Sequence, residues 1–200
     1  MSAGTPTAAR IDIVTADQDG AALAADIIAD AFWTLDVSQW LVPENDQRRA
    51  VLERNMLIWT EHAAKHGMIH LTADQSGVAV WFPVSDPPPE PDDYAERLEA
   101  ACGPWTERFR VLDEAFEQNQ PEDPHHHLAF LAIRPGQQGR GIGTALLNHH
   151  HEMYPDVADY LEAASWQSRQ LYLRHHFDDH GPFYLPDGPP MWSMWRPAEG

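Results

Sequence analysis

Apolar residues recur along this chain with two periods, and the change of period predicts where helices give way to strands. From 20 to 33, Leu23, Ile27, Ile28, Ala31 and Phe32 fall on one helical face, and 46–66 repeats the pattern with Val51, Leu52, Met56, Leu57 and Trp59. A short apolar strand at 11–14 precedes the first helix, and Thr15-Ala16-Asp17 supplies a capping-type start. Trp40-Leu41-Val42-Pro43 reads as a proline-broken connection between the two helices. Gly67 is expected just past the end of the second one. Segments 68–72 and 78–84 then alternate like the strands of a hairpin joined by Asp74-Gln75-Ser76-Gly77.

Prolines 87, 88, 89 and 91 forbid a central strand across 85–93, which reads as an extended linker. Two helices follow, at about 92–101 and 104–118, the second with Trp105, Phe109, Leu112 and Phe116 at helical spacing. Such a stripe reads as core before it reads as a ligand wall. Pro121 and Pro124 precede a continuous apolar run at 128–133, a buried strand, and a helical run occupies 145–153. We expect one domain over 1–200, with a flexible tail at 1–10 and a proline-rich linker and helical insert at 85–124. There is no internal repeat.

Two hundred residues, 43% of them hydrophobic, suffice for a substantial core. The formal charge of −18 repels phosphate backbones and anionic membrane surfaces, so nucleic acid and membranes are poor partners, whereas cationic amines would be concentrated. The single cysteine, Cys102, can form no internal disulfide, and the first 14 residues lack a signal-like pattern. A reduced, cytoplasmic setting is the expectation, with no apolar run long enough to span a bilayer.

The chemistry gathers after the buried strand, where Arg134-Pro135-Gly136-Gln137-Gln138-Gly139-Arg140-Gly141-Ile142-Gly143-Thr144 opens the next helix. Strand, glycine-rich loop and helix N-terminus together make an anion cradle, because glycines let backbone N–H groups converge where the helix end is positive. A Walker A loop would need Lys where Ile142 follows Gly141. The dinucleotide fingerprint fails in both registers, since its third glycine would fall on Thr144 or Leu146. The run Gln138-Gly139-Arg140-Gly141-Ile142-Gly143 instead resembles the pyrophosphate-gripping Gln/Arg-x-x-Gly-x-Gly/Ala loop of the GNAT superfamily of N-acetyltransferases.

That resemblance implies a mixed α/β fold: a mostly antiparallel sheet of about six or seven strands, helices on both faces, and an acyl-CoA-binding core at 128–177. It implies acetyl-CoA (coenzyme A) as cosubstrate, held by Leu131, Ala132, Ile133, Gln138, Gly139, Arg140, Gly141, Ile142, Gly143, Thr144 and Ser168, with the thioester along the strand edge at 131–133. Residues 161–164 would form the next strand and 168–175 a helix, and 171–177 resembles the family's Leu-Tyr-x-x-x-Gly-Phe segment. By that likeness Tyr172 is the acid that protonates the departing thiolate. The family often has Asn where Ser168 stands and Gly where His176 stands. The order of elements, the acidic-aromatic insert and the ending Pro189-Pro190-Met191-Trp192-Ser193-Met194-Trp195 are similar to the puromycin N-acetyltransferase branch.

Amide formation also needs a base. Strand periodicity puts His125 and His127 on one face, leading into the loop. The resemblance makes His127 the first candidate base and His125 its water relay, with Glu162 in reserve. Histidine suits the role because it titrates near neutrality. Trp33, Trp40, Trp81 and Tyr184 are the expected acceptor-binding residues, with Trp105 and Trp192 also on cleft segments and Asp36, Glu44 and Asp86 as acids near an amine. The histidine runs at 149–151 and 175–176 spell no zinc-protease motif, and adjacent helix histidines point to different faces, so no metal site is expected.

The reading is therefore an N-acetyltransferase that acts by direct transfer on a primary amine of a small molecule, such as an antibiotic or secondary metabolite, as a monomer or homodimer. Its rivals are a biosynthetic acyltransferase fed by acyl-CoA or by a carrier protein docking on Arg134, Arg140, Arg169 and Arg174, a non-catalytic CoA-binding sensor, and a protein or lysine acetyltransferase.

Overall fold

The computed structural model describes residues 11–84 and 90–199, so the expected tail at 1–10 and most of the proline linker, including Asp86, lie outside the described residues. Seven strands form one sheet: β1 (Ile13–Ala16), β2 (Met68–Thr72), β3 (Gly77–Val84), β4 (His125–Ile133), β5 (Asp159–Ala163), β6 (Asp178–Tyr184) and β7 (Pro190–Arg196). Their order is β1-β2-β3-β4-β5-β7-β6. Every neighbouring pair is antiparallel except β4 and β5. Seven helices accompany them: α1 (Ala21–Phe32), α2 (Asp36–Leu41), α3 (Asn45–His66), α4 (Tyr94–Cys102), α5 (Thr106–Asn119), α6 (Ile142–Met153) and α7 (Trp166–Arg174).

The two faces of the sheet bury two separate cores, and the alternation along β3 shows why. Val78, Val80 and Phe82 point to the side covered by α1 to α5, while Ala79 and Trp81 point to the side covered by α6 and α7. The same period on β5 sends Leu161 and Ala163 toward α6 and leaves Tyr160 and Glu162 on the opposite side. On β4 a bulge at Ala129 interrupts the rhythm: Trp81 pairs with Leu128, but Val80 pairs with Phe130. The extra residue flips the parity, so Phe130 and Ala132, rather than Leu131, share the α1 side with His125 and His127.

Several local expectations shift. Asp17 caps a single 3-10 turn, accepting from the Asp19 N–H at 3.1 Å, and α1 begins only at Ala21. Trp40 belongs to α2 rather than to a connection. Gly67 follows α3 as expected, but its backbone is extended (φ −140°), not left-handed. A side chain there is excluded by packing instead, since a Cβ would stand 2.3 Å from the Trp81 carbonyl oxygen. Strand β4 starts three residues early and takes in all three histidines. Strand β6 was not foreseen: Gly181 and Pro182 break its apolar pattern, and as an edge strand it alternates exposed and half-buried positions without burying one face.

Candidate active site

Three glycines shape the loop between β4 and α6. Gly136, Gly139 and Gly141 all have φ between 75° and 82°, a left-handed region that side chains resist, and Gly141 in that conformation launches α6. Gln138 braces the turn from inside, accepting from the Gly136 N–H at 2.8 Å and donating to the Ile133 carbonyl at 3.2 Å. The N–H groups from Gln138 to Thr144 have no acceptor among the described residues. Unsatisfied donors at a helix N-terminus are what a pyrophosphate requires, so these residues fit the coenzyme.

Beside this loop the sheet opens. Strands β4 and β5 pair only at His126 with Asp159 and His127 with Tyr160, and from Leu128 onward the edge of β4 facing β5 has no strand partner. At the mouth of the opening His127 Nε2 donates to Glu162 Oε2 at 2.8 Å. The Glu162 side chain is 4% exposed, and its second oxygen, Oε1, is buried with no hydrogen-bond partner. His125 shares that sheet face, but its Nδ1 donates to the Asp123 carbonyl at 2.6 Å and its ring packs against Tyr160 and Trp195. Burial lowers the His125 pKa, keeping it neutral.

A cavity of about 560 Å³ runs through the opening from one sheet face to the other. Its end beside the glycine loop is walled by Leu131, Ile133, Gln138, Gly139, Gly141, Ile142, Gly143 and Thr144, with Ser168, Tyr172 and Arg174 on α7. Of the residues expected to hold the coenzyme, Ala132 is instead buried in the core, and Arg140 is exposed with its guanidinium on Gln137. Ser168 reaches the wall, yet its hydroxyl is occupied by a capping box with Ser165 at the start of α7. The Tyr172 ring packs on Phe177, and its hydroxyl bonds to no described residue. Burial raises its pKa, which keeps the phenol protonated and able to donate.

The acceptor end differs most from expectation. Its wall is mostly apolar: Phe32 from α1, Leu35 and Leu41 around α2, Met56 from α3, Leu112 and Phe116 from α5, Phe130 and Met191, with Ser38 of α2 the polar exception beside them. None of Trp33, Trp40, Trp81 and Tyr184 lines it. Trp33 ends α1, where its carbonyl accepts from Arg48 at 3.3 Å. Trp40 donates to the Pro186 carbonyl at 3.1 Å and lies beneath the Arg108 guanidinium. Trp81 is fully buried on the other sheet face, and Tyr184 is 69% exposed on the edge strand. Asp36 and Glu44 are solvent-exposed, so Glu162 is the one carboxylate on the cavity wall among the described residues. The α5 stripe divides: Phe109 is core, while Leu112 and Phe116 face the cavity. Helical spacing had marked these residues as one apolar face without indicating which would meet a void.

Residues 81–180 match the acetyltransferase (GNAT) family, half of the chain and the part that holds the loop, the splayed strands and Tyr172. The chain belongs to the GNAT acetyltransferase family. Among solved structures it is similar to a Corynebacterium glutamicum protein described as histone acetyltransferase HPA2 and related acetyltransferase, at 29% identity and a TM-score of 0.71 over 94% of this chain and 97% of that one. The C-terminal condensation domain of Ebony, solved in complex with beta-alanyl-dopamine, shares the fold at 15% identity and a TM-score of 0.58, covering 93% of this chain and 98% of that one. Arylalkylamine N-acetyltransferase 2 from Aedes aegypti does so at 13% identity and 0.58, covering 95% and 99%. This GNAT chain has, among the described residues, no helix long and apolar enough to cross a membrane.

Proposed function

We propose that this protein transfers an acetyl group from acetyl-CoA directly to the primary amine of a small molecule with an apolar, arylalkyl-like body, as in an antibiotic or a secondary metabolite. The observation that carries the reading is Glu162, a single carboxylate with a buried, unpartnered oxygen on the wall of a mostly apolar acceptor chamber. Such a group binds an ammonium and then takes its proton. This moves the role of base from His127 to Glu162. His127, donating to Oε2, becomes a positioning residue that fixes the carboxylate and leaves Oε1 for the amine.

Acetyl-CoA supplies the thioester carbonyl and a thiolate leaving group. Glu162 passes the ammonium proton to solvent before attack; as the neutral amine forms the C–N bond and the C–S bond breaks, Glu162 accepts a second nitrogen proton, Tyr172 gives its hydroxyl proton to the sulfur, and the proton held by Glu162 then returns to the phenolate. The unpaired edge of β4 at 131–133 offers backbone N–H groups to the developing oxyanion. No covalent enzyme intermediate is needed. Cys102 is 1% exposed in the core of the α1 side, and burial pushes its thiol up to about 12.

Acetyl-CoA is favoured over a carrier-protein donor because the basic patch is largely spoken for. Arg134 pairs with Asp26 and Asp30, Arg169 pairs with Asp179, and only Arg174 of the four faces the cavity. Thiol release from acetyl-CoA should be measured against arylalkylamines, puromycin-like aminonucleosides, aminoglycosides, polyamines and a histone-type peptide. Turnover concentrated on the amines with aromatic bodies is expected. Preference for the peptide or for aminoglycosides overturns the acceptor assignment, and tight acetyl-CoA binding without turnover on any of them favours a sensor.

A further inference from the structure

On the sheet face away from the acceptor chamber the fold assembles a cluster of groups that acetyl transfer does not use. His126 on β4, His150 on α6 and Asp159 on β5 converge, each nine-tenths or more buried, with one ligand atom from each within 4.8 Å of the other two. His126 Nδ1 lies 3.0 Å from His150 Nε2, and His150 Nε2 lies 3.5 Å from Asp159 Oδ1. We propose that these three residues bind a divalent transition-metal ion of the zinc class, as a structural staple between β4, β5 and α6.

Spacing supports this first. Four ligands at the usual zinc bond length of about 2.0–2.1 Å stand about 3.4 Å apart along each tetrahedral edge, close to both observed separations. Satisfaction supports it independently. Asp159 Oδ1 is buried with no hydrogen-bond partner, a costly arrangement for a carboxylate unless something cationic meets it. The other oxygen, Oδ2, accepts from Arg196 at 3.3 Å, while His151 Nε2 stands 3.2 Å away without a hydrogen bond to it. Arg196 is itself paired with Glu199 at 2.6 Å, so part of the aspartate charge remains for an ion.

The surroundings also prepare His150 as a ligand. Its ring is stacked on Trp81 at 3.6 Å with 4° between planes, and its Nδ1 lies 3.5 Å from His70 Nε2. A proton kept on Nδ1 leaves the Nε2 lone pair directed at the cluster, the outer-shell arrangement common for metal-bound imidazoles. His126 and Asp159 also face each other across one of the two paired rungs of β4 and β5, next to the point where the strands part. An ion there would hold together the strands and the helix that flank the coenzyme loop.

Sequence reasoning discounted a metal because adjacent helix histidines diverge. They do diverge, but only His150 is needed from the 149–151 run, and the other ligands come from separate strands.

The test uses untagged full-length protein stripped with EDTA and titrated with Co2+ and Zn2+. One ion per chain is expected, with the visible absorption of tetrahedral Co2+ and a melting temperature raised by about 5–10 °C at a Zn2+ concentration a hundred times the Kd. Zinc-edge X-ray absorption of the unmutated protein should show two imidazoles and one carboxylate. His126→Gln should abolish uptake while keeping the circular dichroism of the fold, and His176→Asn, in the turn after α7, should leave it intact. Absence of stoichiometric uptake, a site of three or more imidazoles, or uptake lost in His176→Asn but kept in His126→Gln would each overturn the site.

Discussion

Glu162 and Tyr172 divide the proton traffic of the proposed reaction, and each owes its fitness to burial. Replacing Glu162 by Gln keeps the shape and the hydrogen bond from His127 but removes the base. We expect kcat to fall by about 10²–10⁴-fold with acetyl-CoA affinity within about twofold, read by steady-state kinetics and calorimetry. His127→Asn should cost less, because it loosens the carboxylate without removing it; a loss as large as that of Glu162→Gln would return the role of base to the histidine. For Tyr172→Phe we expect kcat to drop with little change in coenzyme binding, since the hydroxyl makes no bond to a described residue and the ring's packing on Phe177 survives. Full activity of this variant would exclude the phenol as the acid.

At the scale of elements, the α6 launch and the helical insert can be tested separately. Nothing lies within 4 Å of a Cβ built on Gly141, so Gly141→Val fails through its backbone conformation (φ +82°) rather than through a clash. Such strain costs about 1–3 kcal/mol and turns the N–H groups away from the pyrophosphate. Acetyl-CoA binding weakened tenfold or more by calorimetry is the expected result. In the insert, the Tyr94 hydroxyl on α4 donates to Asp113 on α5 at 2.6 Å, and burial raises the Asp113 carboxyl to about 6. The folded state therefore holds this proton more tightly than the unfolded chain, with its ordinary value of 3.8. Its contribution to stability is fully present below about pH 4 and is lost as pH rises through about 6. Asp113→Asn should thus stabilise the protein by about 1–3 kcal/mol at pH 8 and by little at pH 4, measured by urea unfolding.

Across the whole molecule, the chamber proposed for the acceptor exists only because α1, α2, α3, α5, β4, β5 and β7 enclose it, and α5 supplies Leu112 and Phe116 to it. Phe116→Ala should lower kcat/KM for an arylalkylamine by about tenfold or more while barely altering that for a short aliphatic amine. Much of the fold could be read from the chain itself. Helical spacing located α1, α3 and α5, and the loop from Gly136 to Gly143 could be read as an anion cradle, because glycine spacing, strand and helix start are all local properties of sequence. Glu162 could be named from the chain as a reserve base, but not the face its carboxylate takes. What lay beyond reach depended on contacts between distant segments. The bulge at Ala129 decides which β4 side chains face the α1 side, and no local pattern signals it. Tryptophans suggested a cleft, yet large rings are most stably placed in cores, where Trp81 stacks on a histidine 69 positions away. Which of His127 and Glu162 faces the chamber, and that His126, His150 and Asp159 meet at all, were settled by how β4, β5 and α6 pack, because hydrogen-bond and ligand geometry requires positions in space that residue spacing along the chain cannot specify.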